Sequence, residues 1–258
     1  MGSKRKSFFF NGSVMALPIR ERLAMLMPPP WFYRRRIAEE IRSGEPELAM
    51  LAKLVPGGGT AVDAGANQGL FSYALSDIAD RVVAFEPNPD YASFARWMLR
   101  GRAEVHQLAL SDSSGRGTLY VPLSDDGMVL HFAGNLQRTH AQFRNMQTHD
   151  VEIRTLDEFG LVDVRFIKAD VEGSEREVLE GARATIARSR PIILLELLSG
   201  THQDPLGETA SICESFGYDA VLVQHGETIP ALPAIKALGK NTSWGTEIES
   251  RNVLFRPR

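Results

Sequence analysis

The feature that most constrains this chain is a series of short, continuously apolar runs alternating with helical stretches, several of the runs ending in an acidic residue. Thr60–Ala64, Arg81–Glu86, Ala103–Leu110, Val164–Asp170, Pro191–Leu197 and Ala220–Gln224 read as strands, and Asn252–Phe255 as a closing strand. Leu70–Ile78, a stretch from an Asn88 cap to about Arg100 stopped by Gly101, Ser174–Arg188 and Glu208–Phe216 read as helices. A strand that is apolar along its whole length is buried on both faces. Such strands joined by helices predict a parallel sheet covered on both sides. Thr118–Val121 and Val151–Ile153 alternate in polarity and read as exposed strands or a hairpin. Between them, residues 122–149 are rich in Ser, Asp, Asn, Gln, His and Gly, the texture of a functional insertion.

The bulk numbers narrow the field. At 258 residues the chain can bury one large α/β domain with extensions, and its net charge of −3 gives no support to a nucleic-acid partner. The single cysteine, Cys213, rules out an internal disulfide and a multi-cysteine zinc cluster, and suits a cytoplasmic location. No apolar run approaches the roughly 18 residues of a membrane span. Residues 1–55 differ from the rest. Up to residue 44 they hold nine basic and three acidic residues, a net +6. This segment reads either as a helical cover for the domain at 56–258 or as a docking surface for a membrane face or anionic partner. Oligomeric state has no signature in the sequence.

The chemistry concentrates at the ends of the predicted strands. Asp63-Ala64-Gly65-Ala66-Asn67-Gln68-Gly69 sits where the first strand turns into the first helix. Two glycines there permit a tight turn and close approach of a ligand to backbone, and helix-start amides face that ligand. Glu86 ends the second strand, where a carboxylate can accept from both hydroxyls of a ribose. Ser111-Asp112 follows the third strand, where an adenine ring would lie. Taken singly, each is a turn or a solvated strand end; in order, they mark a nucleoside site. A dinucleotide site would use G-x-G-x-x-G against a pyrophosphate. Here the spacing is Gly-x-x-x-Gly, and Asp63 before it would repel pyrophosphate but suit an amino group and a sulfonium. S-adenosylmethionine is therefore the expected ligand. A nicotinamide-dependent oxidoreductase and a non-catalytic nucleoside-binding protein of the same fold are the alternatives.

Val62–Gly69, Ala84–Pro89, Ala109–Asp112, Ile167–Glu175 and Thr155–Phe159 together resemble the successive motifs of the FkbM family of methyltransferases, over about residues 58–225. Ala169 stands where that family commonly has a bulkier aliphatic residue. The resemblance implies a class I methyltransferase fold, a Rossmann-like three-layer α/β sandwich with a seven-stranded, mostly parallel sheet whose last strand is antiparallel. It implies O-methylation of a hydroxyl on a sugar, glycan or natural product. By motif position, Asp63, Gly65 and Asn67 would contact the methionine part of the cofactor, Glu86 the ribose, and Ser111 and Asp112 the adenine. Gly69, Asn88 and Asp170 complete the cofactor set.

A hydroxyl acceptor must lose its proton, which calls for a base or a metal. Asp170 and Glu172, at the fourth strand tip, are the first candidates, with helix capping and dipole compensation as their plain structural roles. His202, at the end of the fifth strand, has the ordinary pKa of a base, and His131 and His140 lie in the polar insertion. Asp170, Glu172 and Glu196 could share a divalent cation, although their spacing in sequence is not diagnostic. The 122–149 insertion is the candidate lid.

Overall fold

The computed structural model describes Leu23 and residues 25–123, 145–198, 202–238 and 248–258. In chain order, α1 (Pro29–Arg42) and α2 (Leu51–Leu54) precede β1 (Thr60–Ala64), α3 (Leu70–Leu75), β2 (Arg81–Phe85), α4 (Pro89–Met98) and β3 (Glu104–His106). A second run holds β4 (Ala109–Leu110), β5 (Gly115–Pro122), β6 (Met146–Arg154), β7 (Val164–Ala169), α5 (Glu175–Glu180), α6 (Arg183–Ser189) and β8 (Ile192–Glu196). Then come α7 (Pro205–Phe216), β9 (Tyr218–Gln224), β10 (Glu227–Pro230), α8 (Ala231–Leu238) and β11 (Asn252–Pro257).

Eight strands form one sheet in the order β10-β9-β11-β8-β7-β1-β2-β3. β1 is buried at all five positions and pairs parallel with β2 on one side and β7 on the other. Its alternate side chains feed two cores. Val62 and Ala64 pack with Val178, Leu179, Ile186 and Ile212 of the helices on one face, and Ala61 packs with Leu51, Leu54, Phe71 and Leu75 on the other. Each aliphatic side chain fully buried this way contributes about 1.5–3 kcal/mol. The chain runs outward from β1 to β3, then re-enters on the opposite side of β1 at β7. The β1–β7 boundary is therefore the switch point, where loops leave in opposite directions and open a crevice.

β11 is antiparallel to both β8 and β9, so the last strand runs against its two neighbours, as expected. The sheet has eight strands rather than seven because β10 adds an antiparallel edge to β9 through the His225-Gly226 turn. Three local readings change. The strand expected over 103–110 divides: β3 stays in the main sheet, while β4 joins a separate three-stranded sheet by pairing with β6. The helix expected over 174–188 breaks at Gly181, where a Cβ would stand 2.0 Å from the Ser111 carbonyl oxygen, so the backbones meet there. β10 and α8 carry no signal that sequence reading picked up. The alternating segments do form an antiparallel hairpin, β5 with β6, longer than its apolar alternation suggested. Residues 124–144 of the polar insertion, with His131 and His140, lie outside the described residues.

The N-terminal segment is built into the domain. Pro29 and Pro30 open α1, where their missing amides cost nothing, and Tyr33, fully buried on that helix, donates from its hydroxyl to the Gln68 carbonyl at 2.8 Å. Glu47, fully buried, accepts from Ser250 and from Asn252 Nδ2, and the Arg251 amide donates to the Gly44 carbonyl at 3.0 Å. These bonds staple the start of the domain to its closing strand.

Candidate functional site

A cavity of about 430 Å³ opens at the switch point. Its floor is the loop after β1 and the tips of β7 and β8; Arg36, Glu40 and Glu45 form its outer wall and Arg251 its end. The basic segment thus contributes directly to the site, a role beyond the cover or docking surface expected of residues 1–55.

The glycines earn their places for a different reason than expected. Gly65 has φ +75, and a Cβ on it would stand 1.8 Å from the Asp170 carbonyl oxygen. The close approach it allows is therefore that of the chain leaving β7. At Gly69, φ +78, a Cβ would meet Leu99 at 2.6 Å, so it too is held by protein packing. Asn67 takes a left-handed φ of +51, and its amide donates to Glu86 Oε2 at 2.7 Å. The Asn88 amide donates to Glu86 Oε1 at 2.8 Å, and the Asn88 side chain caps α4 by accepting from the Asp90 amide. Burial pushes the Glu86 carboxyl up to about 7 despite these two bonds. Glu86 does not line the cavity, whereas Asn67, which it holds, does. Glu86→Ala is expected to weaken cofactor binding by about 1–3 kcal/mol through release of that loop, measurable by calorimetry; unchanged affinity in a folded variant would remove Glu86 from the site.

Asp63 is fully buried at the tip of β1. Its Oδ2 accepts from Ser72 at 2.6 Å, while its Oδ1 has no hydrogen-bond partner. Burial raises its pKa against the pull of Lys168. Lys168 is a buried cation of the site: 3% exposed, with Nζ 3.0 Å from Asp170 Oδ2 and 4.7 Å from the centre of the Phe71 ring. Burial would strip its proton, but Asp170, Asp63 and Glu45 together hold its pKa above the usual lysine value.

Asp170, Glu172 and Glu196 converge, each with a carboxylate oxygen within 4.8 Å of the others. Burial opposes ionisation of Asp170, yet Lys168 and a hydrogen bond with Glu196 hold its carboxyl down at about 2. Burial and the Asp170 charge keep Glu196 well above the usual carboxylate range, and its carboxyl group is hydrogen-bonded to that of Asp170. Glu172, at a left-handed φ of +58, is pushed by burial and by Asp170 up to about 8. The donor set is one that a hard divalent cation accepts. Lys168 and Arg251, whose Nη1 lies 3.5 Å from Glu196, already supply positive charge to the cluster.

The surroundings of His202 suit a cation rather than the base that its position in the sequence suggested. Its nearly buried ring lies between Glu175 and Glu208, at 3.0 and 2.5 Å. Burial alone would lower its pKa, but the two carboxylates raise it to about 10, so it is an imidazolium at neutral pH. Glu175 in turn accepts from the Val171 and Gly173 amides, which fixes the turn carrying Glu172. Because the folded pKa lies above the unfolded value near 6.5, this stabilisation is complete below about pH 6.5 and fades as pH rises through about 10. His202→Gln should cost about 2 kcal/mol at pH 6 and much less at pH 10.5, read from urea unfolding; an equal cost at both would refute the charged pair.

Ser111 and Asp112 lie away from the cavity lining, against Gly181. The sequence reading placed Asp63, Asp170, Glu172 and Glu196 correctly near one another. It missed Lys168, Arg251 and Glu45 as site residues. A lysine between Ile167 and Ala169 in a largely apolar strand was the available signal for the first; the other two arrive from opposite ends of the chain.

The family model described as the methyltransferase FkbM domain matches residues 63–223. A search of curated proteins finds no match. Among solved structures, a methyltransferase FkbM from Methylobacillus flagellatus KT is similar at 19% identity, TM-score 0.51, over 79% of this chain and 45% of that one, so this chain spans less than half of its length. A putative methyltransferase from Streptococcus mutans, in complex with SAH, aligns at 11% identity and TM-score 0.45 over 82% of this chain and 96% of that one.

Proposed function

Because the chain belongs to the FkbM methyltransferase family, we propose that it transfers a methyl group from S-adenosylmethionine to a hydroxyl oxygen of a sugar, glycan or natural-product acceptor. One observation carries the reading: the orphaned, fully buried Asp63 Oδ1 shares a cavity with the carboxyl groups of Asp170, Glu172 and Glu196. A buried acceptor atom without a donor costs about 1–3 kcal/mol, which a ligand amino group would recover. That fits the amino end of S-adenosylmethionine and does not fit a pyrophosphate.

Bound S-adenosylmethionine supplies an already activated methyl group. Asp63 holds the amino end, and the Asn67 turn, braced by Glu86, holds the loop against the ligand. The acceptor hydroxyl must still be aligned and lose a proton. Positioning of this kind is worth on the order of 7–11 kcal/mol. Asp170, ionised and pinned by Lys168, is too weak a base for the proton and instead orients the hydroxyl. Glu172, with its carboxyl at about 8, takes the proton. Glu45 and Arg251, 2.7 Å apart, offer an acceptor and donors to further hydroxyls of a polyol. A nicotinamide reading lacks the G-x-G-x-x-G turn, and a non-catalytic reading leaves the tuned carboxyl cluster without a task.

Calorimetry with S-adenosylmethionine, S-adenosylhomocysteine and NAD tests this. Both sulfur nucleosides should bind and NAD should not; the reverse pattern would sink the proposal. Activity lost to EDTA and restored by Mg²⁺ would replace the proton route through Glu172 with one in which Asp170, Glu172 and Glu196 hold a cation.

A further inference from the structure

Among the described residues, four large apolar side chains stand out as exposed, and three of them, Leu23, Leu26 and Trp31, fall within nine residues at 58, 82 and 68% exposure. Trp31 opens a face of α1 that continues through Arg34, Arg35, Ala38 and Arg42, all exposed. Their spacing is that of one side of a helix. No acidic residue is among the exposed positions of α1. The opposite side is committed to the domain: Tyr33 reaches the glycine loop, and Arg36 and Glu40 line the cavity.

We propose that this outward face of α1, with Leu23 and Leu26, docks on an anionic lipid bilayer. Leu26 and Trp31 enter the headgroup region, and Arg34 and Arg35 pair with lipid phosphates. The pairing of an aromatic and two leucines with exposed arginines, of which Arg35 also pairs with Glu39 at 3.0 Å, selects this partner. A nucleic acid or acidic peptide would use the arginines and gain little from the leucines, whereas an interface rewards both. Charge complementarity agrees: residues 1–44 carry +6 in a chain of −3, so a negative surface attracts this segment of the sequence more than the rest. The docking rests on exposed side chains alone and stands independently of the methyl-transfer reading. Because α1 also walls the cavity, bilayer contact would be transmitted directly to the site.

The test is sedimentation of the full chain with sucrose-loaded vesicles of phosphatidylcholine, alone or mixed with phosphatidylglycerol. The mixed vesicles should bind the protein at low salt and release it in molar salt, as screening requires. Leu26→Ser with Trp31→Ala should weaken binding at least about tenfold, and Arg34→Ser about fivefold. Affinity for S-adenosylhomocysteine should be unchanged in these variants, which also reports that they fold. No sedimentation, equal binding to neutral vesicles, or binding indifferent to the substitutions would overturn the proposal. So would heparin binding that matches the parent in the doubly substituted chain without any vesicle binding, which would assign the arginines to a soluble polyanion.

Discussion

Glu172→Gln is expected to lower kcat by about 10²–10⁴-fold while leaving S-adenosylhomocysteine affinity near that of the parent. Glu172 sits on a turn fixed by Glu175, beside Asp170 and Glu196, in the cavity that holds Asp63. Burial first, and the Asp170 charge second, push its carboxyl up to about 8. A base must be ionised to accept a proton, so the parent rate should climb with pH and level off above about 8, and the variant should lose that rise. The same substitution has an opposite effect on the fold. With a folded pKa above the unfolded value near 4.3, the carboxyl destabilises the native state increasingly as pH rises from about 4.5 to about 8. The glutamine variant should therefore unfold at a higher urea concentration than the parent at pH 8.5. A slow enzyme that gains stability in alkali is hard to obtain from a residue that merely packs. Full activity in Glu172→Gln would move the proton to another group.

Lys168→Met should cost about 3–5 kcal/mol of stability and abolish cofactor binding, measured by urea unfolding and calorimetry. The methionine fills similar space against Phe71, so the loss is electrostatic. Asp170 loses the partner at 3.0 Å that holds its carboxyl low, and Asp63 and Glu45 lose a positive charge that lowers theirs. Carboxylates stripped of their cation in a buried cluster must take up protons or open the site to water. The sign with pH is fixed by the raised folded pKa of Lys168. Its contribution is complete below the unfolded value near 10.4 and fades only above it, so the variant's deficit should not shrink between pH 6 and 9 and should grow wherever the stripped carboxylates titrate. A deficit below about 1 kcal/mol would show that the carboxyl cluster is stable without its lysine, and the division of roles between Asp170 and Glu172 would fall with it.

Much of this molecule was legible before any coordinates. A continuous apolar run such as Ile192–Leu195 reads as a strand buried on both faces, and Asn88 before Pro89 is a cap that local chemistry dictates. The errors were local too. Gly181 reads as a weak spot in a helix, but only the Ser111 carbonyl approaching it turns that weakness into a break. His202 carries an ordinary imidazole pKa in the sequence and is held as a cation at neutral pH only because Glu175 and Glu208 close on it from two helices.

The sequence by itself determined the βα order, the switch point after β1 and the acids at the strand tips. These follow from side-chain periodicity and from hydrogen bonds made within a few residues. Tertiary structure alone decided which charges meet. Arg251 joins Glu45 across 206 residues of chain and also reaches Glu196, and Lys168 finds Asp63 on a neighbouring strand. Electrostatic interaction depends on distance through space and on burial, and neither is written in the spacing of residues along a chain.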